Sequence, residues 1–468
     1  MAVWDRRSDG EQRHVRDDLL AGWLPQALKF APFWSRVAAQ HGVEVGRRGD
    51  LATLLRVPPS LQGDVLGGNG AGTELVQRPS ESQVTAAGSS SLLQRFVRGN
   101  GEADLEGRRR TLLEEFKPVH VVRAGVADQL ALASSRADLD RAQRAGARSA
   151  AVLGLGDQDS LVSAVPAGPS NAFWGVHAIA LGASMLALHP RGHGDGLGAC
   201  VQAFRLLPAT VVVVPVDEAE AWAEEVAHAD ADVSRVTTVV VVGPVDDAQR
   251  ERIRAAWRTS GALEGELVVR SVWAPDVSRV LWAECREGTH GFHTQPDLEL
   301  VEVLDGSDGT PTDGAGDLTL TSLGWTGTTL LRYRTGALVQ PLRQEPCPGC
   351  ARTVPRVPAD VVDRAWDTRL RRGELEVHLD LRALRLALDG TGVPAWRVEV
   401  RPPVDGGPAD DRLVVEVAGE VADHTAVSTA VLRGTGIAPD EVRSGADPGT
   451  VDADAVAAGS VLADLRQR

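Results

Sequence analysis

The chain has 468 residues, 43% of them apolar and 24% charged, which is room for roughly two to four domains with buried cores. Lys and Arg number 49 against 64 Asp and Glu, a formal net charge of −15. Nucleic-acid binding needs a basic face, so a general role on a phosphate backbone is excluded. The cations are almost all arginine, and Lys29 and Lys117 are the two lysines. The opening segment, MAVWDRRSDGEQRHVRDDLL, lacks the apolar centre of a secretory signal. The longest apolar stretch, Ala178 to Leu188, is broken by Gly182 and Ser184 and falls short of the ~20 residues a bilayer requires. A soluble cytoplasmic protein without membrane partners is expected.

In chain order, Leu19, Leu20, Trp23, Leu24, Ala27 and Leu28 recur at helical spacing until Pro32 interrupts. Residues 63–82, rich in Gly, Ser and Gln, read as loop. From about 110 to 270, β-branched runs at Val119–Val122, Ala150–Leu153, Val211–Val214 and Val239–Val242 read as buried strands. Helical patterns lie between them, at Trp174–Leu186 and Asp246–Trp257. This alternation predicts a parallel sheet wrapped by helices. A hairpin is predicted from 298–304 and 317–322 around the acidic, glycine-rich loop Asp305–Gly316. Beyond about 365 the pattern becomes a small α+β unit, with strands at 374–378, 396–401 and 412–417 and helices at 380–388 and 422–433. Loops fall at Pro402–Asp410 and Gly445–Thr450.

Four cysteines in so long a chain argue against a disulfide framework. Cys347-Pro-Gly-Cys350 forms a tight pair, and Cys285 and His293 form a second. Two such pairs are how a closed tetrahedral zinc site is assembled, with Pro348 and Gly349 turning both thiolates toward one metal. A free or disulfide-forming pair and a thioredoxin-like site are the alternatives. The latter requires the CxxC to open a helix, whereas Pro346, Pro348 and Arg352-Thr353-Val354-Pro355 read as loop. His290 is a spare ligand, and Cys200 reads as a small buried apolar residue. Val84-Thr85-Ala86-Ala87-Gly88-Ser89-Ser90-Ser91 is either a plain surface turn or a loop whose N–H groups and hydroxyls wrap phosphate.

Several of these segments together resemble the phenylacetate-CoA ligase branch of the acyl-adenylate-forming enzymes, over nearly the whole chain. Ala31-Pro32-Phe33-Trp34 is similar to that family's opening helix junction, and Val84–Ser91 sits where its phosphate loop belongs. Asn171–His189, NAFWGVHAIALGASMLALH, resembles its pocket-lining helix, and Arg332-Tyr333-Arg334-Thr335-Gly336 its nucleotide signature. Trp273-Ala274-Pro275-Asp276-Val277 occupies the place of its aromatic-glycine-x-Ser/Thr-Glu motif, and Asp363-Arg364-Ala365-Trp366-Asp367 partly resembles its hinge. Some relatives carry zinc on cysteine and histidine positions equivalent to Cys285, His293, Cys347 and Cys350.

The resemblance implies an α/β protein with a large adenylate-forming domain over 1–364 and a smaller α+β domain over 365–468. The large domain would have a helical N-terminal part at 1–80, helix-wrapped, mostly parallel sheets, and a β subdomain at 285–355 carrying the CPGC knuckle. It implies ATP with Mg²⁺ contacting Gly88, Ser89, Ser90, Ser91, Arg334, Thr335 and Arg364. A small carboxylic acid would lie against Phe173, Trp174, His177 and Trp273, with CoA as acceptor thiol. The reaction implied is acid activation through an acyl-adenylate, followed by thioester formation.

The chain also departs from the family. The loop lysine is Leu92, the Mg²⁺ glutamate falls on Val277 with Asp276 beside it, and the ribose-binding aspartate is Ala337. No lysine follows Lys117, so the family's C-terminal catalytic lysine is absent and Arg466 is its nearest substitute in charge. The alternative expectation is a catalytically silent ligase-fold protein that binds a small molecule or a partner.

Overall fold

A computed structural model describes residues 4–44, 46–60, 64–65, 72–80, 113–124, 130–192, 194–263, 265, 267–285, 289, 291–305, 310–363, 367–372, 375–380, 384, 387–388, 391, 393, 396–403, 410–418, 424–446 and 462–464. The chain divides into two units, Met1–Ala124 with Leu130–Val362, and a second beginning at Asp363.

The first unit opens with helix α1 (Asp9–Phe30), started by a capping box. Glu11 N–H donates to Ser8 Oγ at 3.3 Å and Ser8 N–H to Glu11 Oε2 at 2.8 Å, so two otherwise orphaned donors are satisfied reciprocally. The apolar stripe read from the sequence is its buried face: Leu20, Trp23, Leu24, Ala27 and Leu28 are all buried. The interruption expected at Pro32 is present: α1 ends at Phe30, Ala31 is extended, and Pro32 is the first residue of α2 (Pro32–Gln40), a position where the missing N–H costs little. After α3 (Leu51–Leu55), the hairpin β1 (His120–Ala124) and β2 (Leu130–Ser134) leads into α4 (Arg136–Leu153).

The predicted strand at Ala150–Leu153 is instead the last turn of α4. Ala145, Gly146, Ser149, Val152 and Leu153 are buried at helical spacing, and Gly154 closes the helix at φ 80°. A short apolar run does not by itself distinguish a buried strand from a helix end. The chain continues through β3 (Ser160–Ser163), α5 (Asn171–Gly182), β4 (Leu186–Leu188), α6 (Gly198–Ala203), β5 (Val211–Pro215), α7 (Ala219–His228), β6 (Thr238–Val242), α8 (Asp247–Thr259) and β7 (Val268–Trp273). The helix expected to run to Leu186 stops at Gly182, and Leu186 begins a strand. Helices α4 and α5 approach closely because Gly146 and Gly182 lack side chains. A Cβ on Gly146 would lie 2.1 Å from the Ala178 carbonyl oxygen, and one on Gly182 would lie 2.3 Å from Ala147 N.

Next come β8 (Trp282–Ala283), β9 (Gly291–His293), β10 (Glu299–Leu304), β11 (Gly316–Ser322), β12 (Tyr333–Val339), β13 (Arg356–Pro358) and β14 (Val362–Asp363). An eight-stranded sheet has the order β13-β9-β8-β7-β6-β5-β3-β4. Its β7-β6-β5-β3-β4 half is parallel, and β8, β9 and β13 extend it antiparallel. The predicted hairpin is present, with Glu299 opposite Ser322, in a separate sheet β10-β11-β12-β14. Residues 285–355 are thus shared between two sheets.

In the second unit, β15 (Asp367–Arg372) pairs with β16 (Leu375–Asp380). Strands β17 (Trp396–Arg401), β18 (Arg412–Ala418), β19 (Glu441–Ala446) and β20 (Leu462–Asp464) form a mixed sheet accompanied by α9 (His424–Thr435). Strand β19 runs to Ala446, so the first two residues of the loop expected at Gly445–Thr450 are strand, and residues 447–450 lie outside the described residues. Among the described residues, no helix is long and apolar enough to cross a membrane.

Candidate metal centre and nucleotide-site residues

Cys285, His293, Cys347 and Cys350 converge. One ligand atom from each lies within 4.8 Å of the others, and all but Cys350 are buried. Cys285 Sγ is 3.5 Å from Cys347 Sγ, and Cys350 Sγ is 3.5 Å from His293 Nε2. The sheet register explains the convergence: Ala283 is opposite His293, and His293 opposite Arg356. Cys285 therefore follows β8, His293 ends β9, and the CPGC turn immediately precedes β13.

A disulfide has sulfurs about 2.05 Å apart, and all four cysteines are free. The thioredoxin-like alternative also fails, because Pro348–Cys350 lie in a turn that leads to strand β13 and open no helix. Tetrahedral zinc at about 2.3 Å from sulfur places its ligand atoms roughly 3.6–3.8 Å apart, close to the separations seen. The donor set fits a structural Zn²⁺: three thiols and the His293 imidazole, through Nε2, face one another. Hydrogen bonds from Cys285, His293 and Arg352 draw the Cys350 thiol well down, and the Cys350 partnership together with burial drives Cys285 up. His290 lies outside the described residues.

The acyl-pocket residues gather in part. On α5, Phe173 stacks on His177 with centroids 6.2 Å apart, and Trp174 meets Phe173 edge-on at 5.4 Å. Two further imidazoles join them: His189 approaches His177 to 3.5 Å between ring nitrogens, and His120 meets Trp174 at 4.4 Å. Burial, with the His177 ring as a smaller cause, pushes His189 down to about 4, and burial lowers His120. His189 is therefore uncharged at neutral pH. Trp273 packs in the core against Trp282 and Phe292 at 5.7 Å each.

Around the nucleotide signature, Arg334 pairs with Asp317 at 3.4 Å, and Thr335 Oγ1 donates to the Leu318 carbonyl at 2.9 Å. Arg332, at φ 46°, pairs with buried Glu302 at 3.3 Å and donates to the Leu55 and Val57 carbonyls. Asp276 is exposed, and its carbonyl accepts from the Asn171 amide. Burial, assisted by the nearby Asp276 charge, raises the Tyr333 phenol. The loop after β7, the start of α5 and the start of β12 therefore meet. Ala337 and Val277, 2% exposed each, belong to the apolar core. Gly88, Ser89, Ser90, Ser91, Arg364 and Arg466 lie outside the described residues. Cys200 is fully buried in apolar surroundings that push its thiol up to about 11.

Two ion pairs flank the cluster. Glu284, next to Cys285, forms a buried ion pair with Arg250 of α8 at 2.9 Å, and Arg352 joins the knuckle to Asp5. Only a charge of one sign beside a ligand marks them in the sequence.

No protein-family model and no curated protein matches this sequence. Among solved structures, 2-hydroxyisobutyryl-CoA ligase in complex with 2-HIB-AMP and CoA in the thioesterification state superposes with a TM-score of 0.61 at 18% identity, over 99% of this chain and 91% of that one. The same ligase with 2-HIB-AMP in the postadenylation state gives 0.60 at 16% identity, over 94% and 88%. Its open conformation with 2-HIB-AMP and CoA gives 0.56 at 18% identity over the same shares. The chain has the fold of the adenylate-forming acyl-CoA ligases.

Proposed function

We propose that this chain is an AMP-forming acyl- or aryl-CoA ligase of the cytoplasm, with a large domain over 1–364, a small one over 365–468 and a structural zinc on Cys285, His293, Cys347 and Cys350. The observation that carries the reading is the likeness to an acyl-CoA ligase over 99% of this chain, small unit included. A small carboxylic acid would lie against Phe173, Trp174 and His177, whose rings are in mutual contact. Its carboxylate would attack the α-phosphate of ATP and expel pyrophosphate, and the CoA thiol would then displace AMP from the acyl-adenylate. Two anions meet in the first step, so Mg²⁺ and arginine must supply the compensation that the family takes from lysine.

A second reading is a catalytically silent ligase-fold protein that binds a small molecule or a partner. One observation favours it: the positions of the ribose-binding aspartate and of the Mg²⁺ glutamate are Ala337 and Val277, both in the apolar core. Carboxylate-dependent pyrophosphate exchange across a panel of aryl and acyl acids, with ATP binding by calorimetry, separates the two. Exchange with any acid establishes the ligase. Absence of both exchange and nucleotide affinity establishes the silent protein.

A further inference from the structure

The metal knuckle touches more than its own sheet. Arg352 follows Cys350 by two residues, its carbonyl accepts from the Cys347 N–H at 2.8 Å, and its positive charge lies near the Cys350 sulfur. The same guanidinium pairs with Asp5 through Nε and donates through Nη2 to the Ala151 carbonyl at 3.1 Å. Thr353, the next residue, donates its N–H to the Asp5 carbonyl at 2.9 Å and its hydroxyl to the Arg7 carbonyl at 2.5 Å. Gln12, 7% exposed, donates to Thr353 Oγ1 at 2.9 Å. Arg6 reaches the Cys350 carbonyl at 3.4 Å.

We propose that the Cys3His centre is the clasp of an N-terminal strap, Trp4–Gln12, with Arg352 as the positioning residue that joins metal to strap. The inference rests on zinc occupying the centre. Zn²⁺ with three thiolates and a neutral imidazole carries one net negative charge (2 − 3 = −1) in a mostly buried site. The Arg352 guanidinium against Cys350 offsets it, and Asp5 fixes the guanidinium from the far side. Geometry couples the two as well. Ala351, between Cys350 and Arg352, is held at φ 57°, a left-handed conformation that is unfavourable for alanine. Cys347 secures it from both sides, its carbonyl accepting from Ala351 N–H and its own N–H donating to the Arg352 carbonyl, each at 2.8 Å. When Cys347 and Cys350 are no longer drawn to one ion, the turn is free to relax and the bonds to Asp5, Arg7 and Gln12 lose their alignment. Coupling between two binding events is reciprocal. Metal loss therefore loosens the strap, and loosening the strap weakens metal binding by the same factor.

Two measurements on the full chain test this. Hydrogen exchange is followed with and without a zinc chelator, and zinc affinity is measured by competition with a chromophoric chelator for wild type, D5N, R352Q and R352K. Exchange should accelerate in peptides covering residues 4–12 while β5 and β6 stay protected. D5N and R352Q should each weaken zinc by roughly 10-fold or more, with R352K recovering part of the loss because its ammonium still faces the sulfur. If chelation unfolds the whole chain, D5N decides alone, since its affinity is read on the folded, metal-bound protein. One zinc per chain with wild-type affinity in D5N, or with strap exchange indifferent to chelation, overturns the clasp and leaves the metal centre standing. No bound zinc overturns the centre itself, and the clasp with it.

Discussion

Cys285 and Cys347 are 62 residues apart in sequence, and their sulfurs are 3.5 Å apart. The closeness follows from strand order: β8, β9 and β13 are neighbours at one end of the eight-stranded sheet, although β10, β11 and β12 intervene along the chain. A metal on these residues would tie together three short strands of two or three residues each, too short to hold register by hydrogen bonding alone.

Purified protein should contain one zinc per chain by elemental analysis, and Cys285→Ser should lose it. With one ligand gone and three short strands untied, a loss of ~3 kcal/mol should lower the melting temperature by about 5–10 °C. A C285S protein that melts with wild type and still holds a full equivalent of zinc would falsify the assignment.

Gly146→Ala should destabilise the first unit. The added Cβ would stand 2.1 Å from backbone atoms of α5, and backbone cannot swing away as a side chain can. Helix propensity favours alanine by about 1 kcal/mol, while overpacking costs about 1–3 kcal/mol or more, so the net sign is destabilising. Urea unfolding checks it, and a more stable G146A would show that the two helices separate freely.

The Arg250–Glu284 pair has side-chain exposures of only 3% and 2%. Arg250→Met would remove a buried cationic partner of the Glu284 carboxylate beside Cys285, a loss of about 3–5 kcal/mol. Replacing both partners, as R250M/E284L, should recover most of that, because no uncompensated charge remains. A double variant no better than R250M would mean that the Arg250 bond to the Val269 carbonyl, 2.7 Å long, carries the effect.

Glu299 should make stability fall as pH rises. Burial pushes it up to about 7 from 4.5, against the opposing bonds from Ser278 and Trp282 and the nearby Arg279 charge. Between those values the folded state holds a proton that the unfolded state has released, so its contribution is present below about pH 4.5 and lost through pH 7. The change is roughly 3 kcal/mol. Denaturant melts at pH 5 and pH 8 should show wild type losing stability relative to E299Q by about this amount, and a constant difference would rule it out.

The sequence alone determined what depends on local spacing and residue chemistry. The stripe of α1, the valine strands β5 and β6, the Asp246-capped helix α8 and the β10–β11 hairpin each follow from the periodicity of a few adjacent residues. The convergence of Cys285, His293, Cys347 and Cys350 was legible for a similar reason, since a CPGC turn and a Cys–His pair advertise their chemistry without neighbours. Tertiary structure decided the rest. Ala150–Leu153 became a helix end because the apolar face of α4 packs on α5 through Gly146. Trp273 went to the core with Trp282 and Phe292 while Phe173, Trp174 and His177 drew in His120 and His189. Arg352, Asp5, Arg250 and Glu284 look like ordinary surface charges along the chain. Their importance comes from burial and from partners tens to hundreds of residues away, and long-range pairing of that kind leaves no periodic trace in a sequence.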